Sequence, residues 1–189
     1  MFGDISLTST MQEACKIITD GTHQPPKFVN EGIPFIFVSN IANDRLTYNA
    51  EKFISEETYN ELVKRTPIEI GDVLLSTVGS YGHPAIVESN RKFLFQRHIA
   101  YLKPDKDKIN SRFLHAVILS DVVKRQIDSK VKGIAQKTLN LSEIKSLQIP
   151  LPPLNLQNQF ADFVSLTDKS KYAIDQFIKS LHAAKDATA

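Results

Sequence analysis

Five histidines, one cysteine and one set of acids with a lysine are the residues of this 189-residue chain best suited to catalysis. His23, His83, His98, His115 and His182 show none of the paired spacing that gathers ligands around a metal. Cys15 is the single cysteine, which excludes an internal disulfide and reads as a small buried hydrophobe. Gly79-Ser80-Tyr81-Gly82 lacks the Lys-Ser/Thr ending and long glycine spacing of a phosphate loop, so it reads as a turn between strands. Asp105 with Glu143 and Lys145 formally matches a metal-dependent nuclease pattern. Such a site needs its acids and lysine converging on Mg²⁺, usually from adjacent strands, whereas Glu143 and Lys145 fall in a short helical segment and Asp105 in a charged turn. No catalytic residue, metal ligand or cofactor is assigned on these grounds.

Polar and cationic loop residues form a more coherent set. Lys92, Arg97, Lys130, Lys132 and Lys137 have the charge to neutralise phosphates, while Thr22, His23, Tyr81, Gln96, Gln136 and Asn140 offer hydrogen-bond partners for base edges. The net charge of +2 conceals a strong asymmetry. Residues 1–90 hold 6 Lys/Arg against 12 Asp/Glu, residues 91–137 hold 12 against 4, and the remainder is balanced. A basic block in mid-chain is the electrostatic footprint of a polyanion partner; a merely solvated face is the alternative. No apolar run approaches the roughly 18 residues of a membrane span, and the first residues lack a charged start followed by an apolar core, so a cytoplasmic location is expected.

These residues need a scaffold, and the pattern predicts an α+β one. Ser9 to Ile18 reads as a short helix, and Asp20 to Pro26 as a turn-rich loop. Ile33 to Val38 reads as a buried strand, with a turn and short second strand over Asn40 to Asn49. Ser55 caps a helix that Pro67 stops. Val73 to Val78, Ala85 to Glu88 and Phe93 to Leu102 supply further strands. From Ile109 the period turns helical, with Phe113, Val117, Ile118, Val122, Val123 and Ile127 on one side and Asn110 or Ser111 as cap. A basic loop, Lys130 to Asn140, leads to a short helix over Leu141 to Leu147 capped by Ser142.

After the proline clamp Pro150-Leu151-Pro152-Pro153 comes the longest helical pattern in the chain. Leu156, Phe160, Phe163, Thr167, Ser170, Ile174, Phe177 and Leu181 recur in steps of four and three, the heptad spacing that keeps one seam facing a partner helix. At about 1.5 Å per residue, Asn155 to Leu181 makes a rod about 40 Å long, too long to lie wholly over a small domain. A globular domain over 1–152 and a spacer or dimerisation helix over 153–189 are therefore expected.

Several phrases occur in an order that resembles the DNA-specificity (S) subunit of type I restriction-modification systems: Asp20-Gly21-Thr22-His23, Gly32-Ile33-Pro34-Phe35-Ile36, Ile54-Ser55-Glu56-Glu57-Thr58-Tyr59, and Gly71 to Ser76 running into Gly79-Ser80-Tyr81-Gly82. The Phe113-Leu114 helix and Ile149-Pro150-Leu151-Pro152-Pro153-Leu154 with Gln157 complete the series. The likeness covers residues 6 to 182. It implies a β-rich target-recognition domain with covering helices, followed by a long coiled-coil helix. It further implies no catalysis by this chain, sequence-specific reading of one half of a bipartite double-stranded DNA site, and docking to methyltransferase subunits and through them to a restriction subunit. S-adenosylmethionine, ATP and Mg would belong to those partners. Family subunits carry two recognition domains and two helices where this chain has one of each, so a half-subunit or a fragment is expected. An antiparallel homodimer through the seam would restore the pair. The rival classes are a protein-protein adaptor built on the rod and the Mg-dependent nuclease weighed above.

Overall fold

Thr10 and Glu13 decide how the chain starts. In the computed structural model, which describes residues 8–133 and 137–186, the Thr10 amide donates to Glu13 Oε2 at 2.9 Å and the Glu13 amide to Thr10 Oγ1 at 3.2 Å. This capping box nucleates α1 (Met11–Ala14) behind β1 (Thr8–Thr10). The helix is one turn, not the longer one expected over Ser9 to Ile18. From Cys15 the chain becomes β2 (Cys15–Asp20), because it pairs along β9 (Ile99–Pro104), and sheet pairing overrides the local helical period.

Three sheets follow. β2, β9, β6 (Val73–Ser76) and β7 (Pro84–Ile86) form a central antiparallel sheet in that order. β3 (Phe28–Val29), β5 (Lys52–Ile54), β4 (Ile33–Ile36) and β8 (Leu94–Phe95) form a second, with β4 and β8 parallel. β1 pairs with β10 (Gln148–Pro150) as a two-stranded ribbon. The second strand expected over Asn40 to Asn49 lies later, as β5. Asn40 instead ties that stretch into a loop, its side chain accepting from the Phe37 amide and donating to Asn49 O.

Strand periodicity sorts the core. Val73, Leu75, Ala100 and Leu102 face the helices, whereas Leu74, Ile99 and Tyr101 face the second sheet, where Ile36, Phe93 and Phe95 meet them. Burial on both faces explains the unbroken apolar run of β6. Ile33, Phe35, Ile54 and Leu94 form the far face of the second sheet, covered by Tyr59 and Leu62 of α2 (Glu56–Leu62). Ser55 caps α2, as expected. Cys15 lies in the first core, where burial pushes its thiol up to about 12, an unreactive state.

On the helical side, α3 (Ser111–Leu119) and α4 (Asp121–Lys130) are separate helices broken at Ser120, which caps the second. The break turns Val122 outward, unlike the single stripe expected, while Phe113, Val117, Ile118, Val123 and Ile127 are buried. Asn110 caps α3 through its side-chain oxygen. α5 (Leu141–Lys145) follows Asn140 rather than Ser142 as its cap residue.

α6 (Leu154–Asp186) is 33 residues, about 50 Å, and its first turns dock on α3. Gln157 is fully buried there. Its amide donates to Lys108 O at 2.9 Å and Pro152 O at 2.7 Å, and its oxygen accepts from the Asn110 amide at 3.0 Å. Phe160 meets Phe113 edge to face with centroids 5.6 Å apart, and Ala161 is buried. Phe160 thus packs inside its own chain, because the helix has not yet left the domain, rather than standing free in the heptad seam. Beyond it Phe163, Leu166, Ile174, Phe177 and Ile178 are exposed, a stripe wider than the heptad positions alone. Leu156, Thr167 and Ser170 are exposed as well. The side chain of Leu181 lies outside the described residues.

Candidate nucleic-acid interface

The central sheet brings four loops to one end. Asp20 at the end of β2 pairs with Ala100 and Ser76 at the end of β6 with Ile99, so the loops after β2, after β6 and before β9 leave from the same edge. Backbone hydrogen bonds then sew them together. Thr22 N donates to Phe95 O and Arg97 N to Thr22 O; Thr77 N donates to His98 O; Leu139 N donates to Thr77 O and Gly79 N to Lys137 O. Lys132 and Thr138 exchange two backbone bonds and close the neck of the α4–α5 loop. A surface made of loops acquires the fixed geometry recognition requires when it is laced in this way.

Gly21 permits the closest approach. A Cβ there would lie 2.3 Å from Phe95 O and 2.5 Å from Gln96 O, so only glycine lets the β2–β3 loop run against the β8–β9 loop.

Thr22, His23, Gln96, Arg97 and Asn140, expected as separate loop residues, come together here. Thr22 and Gln96 form a parallel bridge. His23, Arg97, Asn140, Asp20 and His98 line a cleft of about 450 Å³ between the loops. Burial, with Arg97 beside it, holds His98 below the ordinary histidine range, so its ring is neutral at neutral pH. Tyr81 donates its hydroxyl to Asp128 at 3.1 Å, and Lys137 Nζ stands 5.8 Å over its ring.

Lys130, Lys132 and Lys92 each pair with an acid, Lys132 with its side chain still 70% exposed. Lys130 lies 3.5 Å and Lys132 3.3 Å from the two oxygens of Glu143, and Lys132 and Lys130 together hold that carboxyl below its usual range. Lys92 pairs with Glu56 and lies over the Tyr59 ring on α2, outside the laced loops, because the strand that follows it belongs to the second sheet. Gln136 lies outside the described residues. Among the described residues no group of three or more His, Cys, Asp and Glu is placed to hold a metal, and no helix is long and apolar enough to cross a membrane. Of the nuclease pattern, Asp105 is engaged by Lys16 and Lys108, and Glu143 by the two lysines above.

Arg65 had no place in the sequence-based set. Its Nη2 lies 2.7 Å from Asp20 Oδ1 and 3.2 Å from His23 Nε2. The basic pair Lys64-Arg65 after α2 was visible in the sequence, but nothing there joins it to Thr22-His23; the second sheet does so by folding α2 against the β2–β3 loop.

Laced loops on a two-sheet scaffold, with a long helix docked beside them, define the architecture. Residues 9–180 match the family described as the type I restriction modification DNA specificity domain, and the chain belongs to that family. It is 30% identical over 139 residues to the Escherichia coli type I restriction enzyme EcoBI specificity subunit, a match that covers 74% of this chain and 29% of that protein. It is 26% identical over 181 residues to the putative type I restriction enzyme MjaX specificity subunit of Methanocaldococcus jannaschii, covering 93% of this chain and 42% of the other. Among solved structures, the HsdS subunit of Thermoanaerobacter tengcongensis shares the fold with a TM-score of 0.60 at 18% identity, over 90% of this chain and 39% of that one. The S subunit of M. genitalium does so with a TM-score of 0.59 at 15% identity, over 86% and 39%. The chain therefore spans less than half the length of each of these relatives.

Proposed function

We propose that this chain reads one half of a bipartite double-stranded DNA site with its laced loops, and that α6 holds this reader at a set distance from a second one. The observation that supports it best is the convergence of Thr22, His23, Gln96, Arg97, Lys132, Lys137 and Asn140 on four loops sewn together at one end of the central sheet. Arg97, Lys132 and Lys137 position the backbone; Thr22, His23, Gln96 and Asn140 face base edges.

The second reader comes from a second copy of the chain. Phe163 and Phe177 are 63% and 64% exposed on α6, an apolar stripe that a helix in water leaves open only for a partner. Thr167 and Ser170 lie midway, where small side chains allow an antiparallel crossing. The rod's length of about 50 Å exceeds the ~34 Å of one turn of B-DNA, which suits half-sites about a turn apart. Methyltransferase subunits, and through them a restriction subunit, dock on this frame, and S-adenosylmethionine, ATP and Mg act in those partners rather than here.

Selection from a random duplex library at two salt concentrations tests the reading. The expected result is an enriched half-site bound more weakly as salt rises, with Lys132→Glu and Lys137→Glu lowering binding to all sequences. An adaptor acting through the rod alone would enrich nothing. Light scattering at tens of micromolar should give a dimer that Phe163→Ser with Phe177→Ser converts to a monomer; a monomeric wild type would refute the twofold arrangement.

A further inference from the structure

His23 is the common wall of two clefts. One is the 450 Å³ cleft between the loops; the other, about 610 Å³, opens between the β2–β3 loop and the end of α2 and is bordered by Thr22, Lys27, Leu62, Lys64 and Arg65. At that wall Asp20, His23 and Arg65 form a closed set. Arg65 Nη2 donates to Asp20 Oδ1 at 2.7 Å, and His23 Nε2 lies 2.9 Å from Asp20 Oδ2 and 3.2 Å from Arg65 Nη2. His23 Nε2 can donate to the carboxylate or accept from the guanidinium, but not both at once.

Three consequences decide what this set can recognise. Asp20 is the last residue of β2 and its side chain is only 16% exposed, so the carboxylate is fixed and it fixes Arg65, whose side chain is half exposed. Rotamer freedom that a loose arginine would lose on binding is already lost. Asp20 also offsets the guanidinium charge, so the pair attracts a phosphate weakly and presents a repelling oxygen beside it. Finally, Nε and Nη1 of Arg65 have no hydrogen-bond partner among the described residues, and the Nη2 hydrogen facing His23 is released whenever His23 donates to Asp20. Oriented donors with little net charge suit a neutral pair of acceptors. In the major groove the base edge with two acceptors side by side is guanine O6 and N7.

The geometry points to Arg65 as a further specificity-determining residue, taking the O6/N7 edge of a guanine in the half-site, with Asp20 as the positioning residue that aims it. This rests on the proposed reading of a half-site by the laced loops.

The test selects bound sequences from a random duplex library with the full chain and its Arg65→Ala, Arg65→Lys and Asp20→Asn variants, each checked for folding by circular dichroism. Wild type should prefer guanine at one position by about 10- to 100-fold. Arg65→Ala should abolish that preference alone. Arg65→Lys should abolish it too, since an ammonium cannot bridge two acceptors, while leaving the salt dependence unchanged. Asp20→Asn should weaken the preference at that position yet raise binding to unrelated sequences, an opposed pair of shifts that a merely structural role would not produce. A uniform loss across sequences, with a salt slope lower by about one, would make Arg65 a phosphate contact and overturn the inference. A consensus unchanged in Arg65→Ala overturns it while leaving the half-site reading intact; a wild type that enriches nothing overturns both.

Discussion

Replacing Gln157 should loosen the rod from its domain in a way that depends on the replacement. Gln157→Leu keeps the volume but leaves the buried Asn110 amide without an acceptor, and Lys108 O and Pro152 O each without the donor they now share. An orphaned buried donor costs about 1–3 kcal/mol and a carbonyl with a second lone pair less, so a total loss of roughly 3 kcal/mol is expected. Gln157→Glu keeps the acceptor for Asn110 and sets its other oxygen against two carbonyls, where only a protonated carboxyl can stay. The folded-state pKa of that glutamate would then lie above its unfolded value of about 4.3, so the folded protein binds more protons between the two and stability falls as pH rises. Urea unfolding followed by circular dichroism at pH 5 and pH 8, each against wild type at the same pH, reads this directly. Gln157→Leu should lose the same amount at both, whereas Gln157→Glu should lose up to about 4 kcal/mol more at pH 8, three pH units at ~1.36 kcal/mol each. A Gln157→Leu variant within about 0.5 kcal/mol of wild type, or a pH-independent Gln157→Glu, would refute the view that these three bonds anchor the rod.

Gly21→Ala should part the β2–β3 and β8–β9 loops, costing at least about 2 kcal/mol because the atoms its Cβ meets are backbone oxygens that cannot rotate away. Hydrogen exchange should then show faster exchange at the Thr22 and Arg97 amides, and rates equal to wild type would disprove the tight approach. His98 gives stability a dependence on pH. Its pKa is depressed in the folded state, mainly by burial and then by Arg97, so the unfolded chain binds more protons below the ordinary histidine range. Its contribution to stability is present above about pH 6.5 and is lost as pH falls through that value toward the folded pKa. His98→Asn should flatten stability against pH between about 7 and 5; an unchanged slope would assign that dependence to other groups.

Local signals in the sequence carried well where local chemistry rules. The Ser55 cap, the apolar run of β6 and the long period of α6 all lie in the structure where their residues place them. Signals failed where a distant partner rules. Cys15 to Ile18 fits the end of a helical period but joins a sheet because β9, more than 80 residues on, offers it a pairing edge. Val122 fits the stripe of a single helix but faces out because Ser120 restarts the period. The candidate site was visible as residue types in loops, not as a surface. Thr22 is bridged to Gln96, and Leu139 beside Asn140 is bonded to Thr77, by backbone contacts between loops that leave no mark in composition, and Arg65 reaches Asp20 and His23 only through the packing of α2. Phe160 has the right spacing for the seam, yet whether such a residue faces a partner or its own domain depends on where the helix leaves the surface.

The ribbon of β1 and β10 carries a consequence of another kind. Thr8 lies opposite Pro150 and Thr10 opposite Gln148, so the first and last strands of the fold are hydrogen-bonded neighbours about 5 Å apart. The two ends of the fold are therefore coupled: a strain that pulls on one strand is borne by the other, and they part together or not at all.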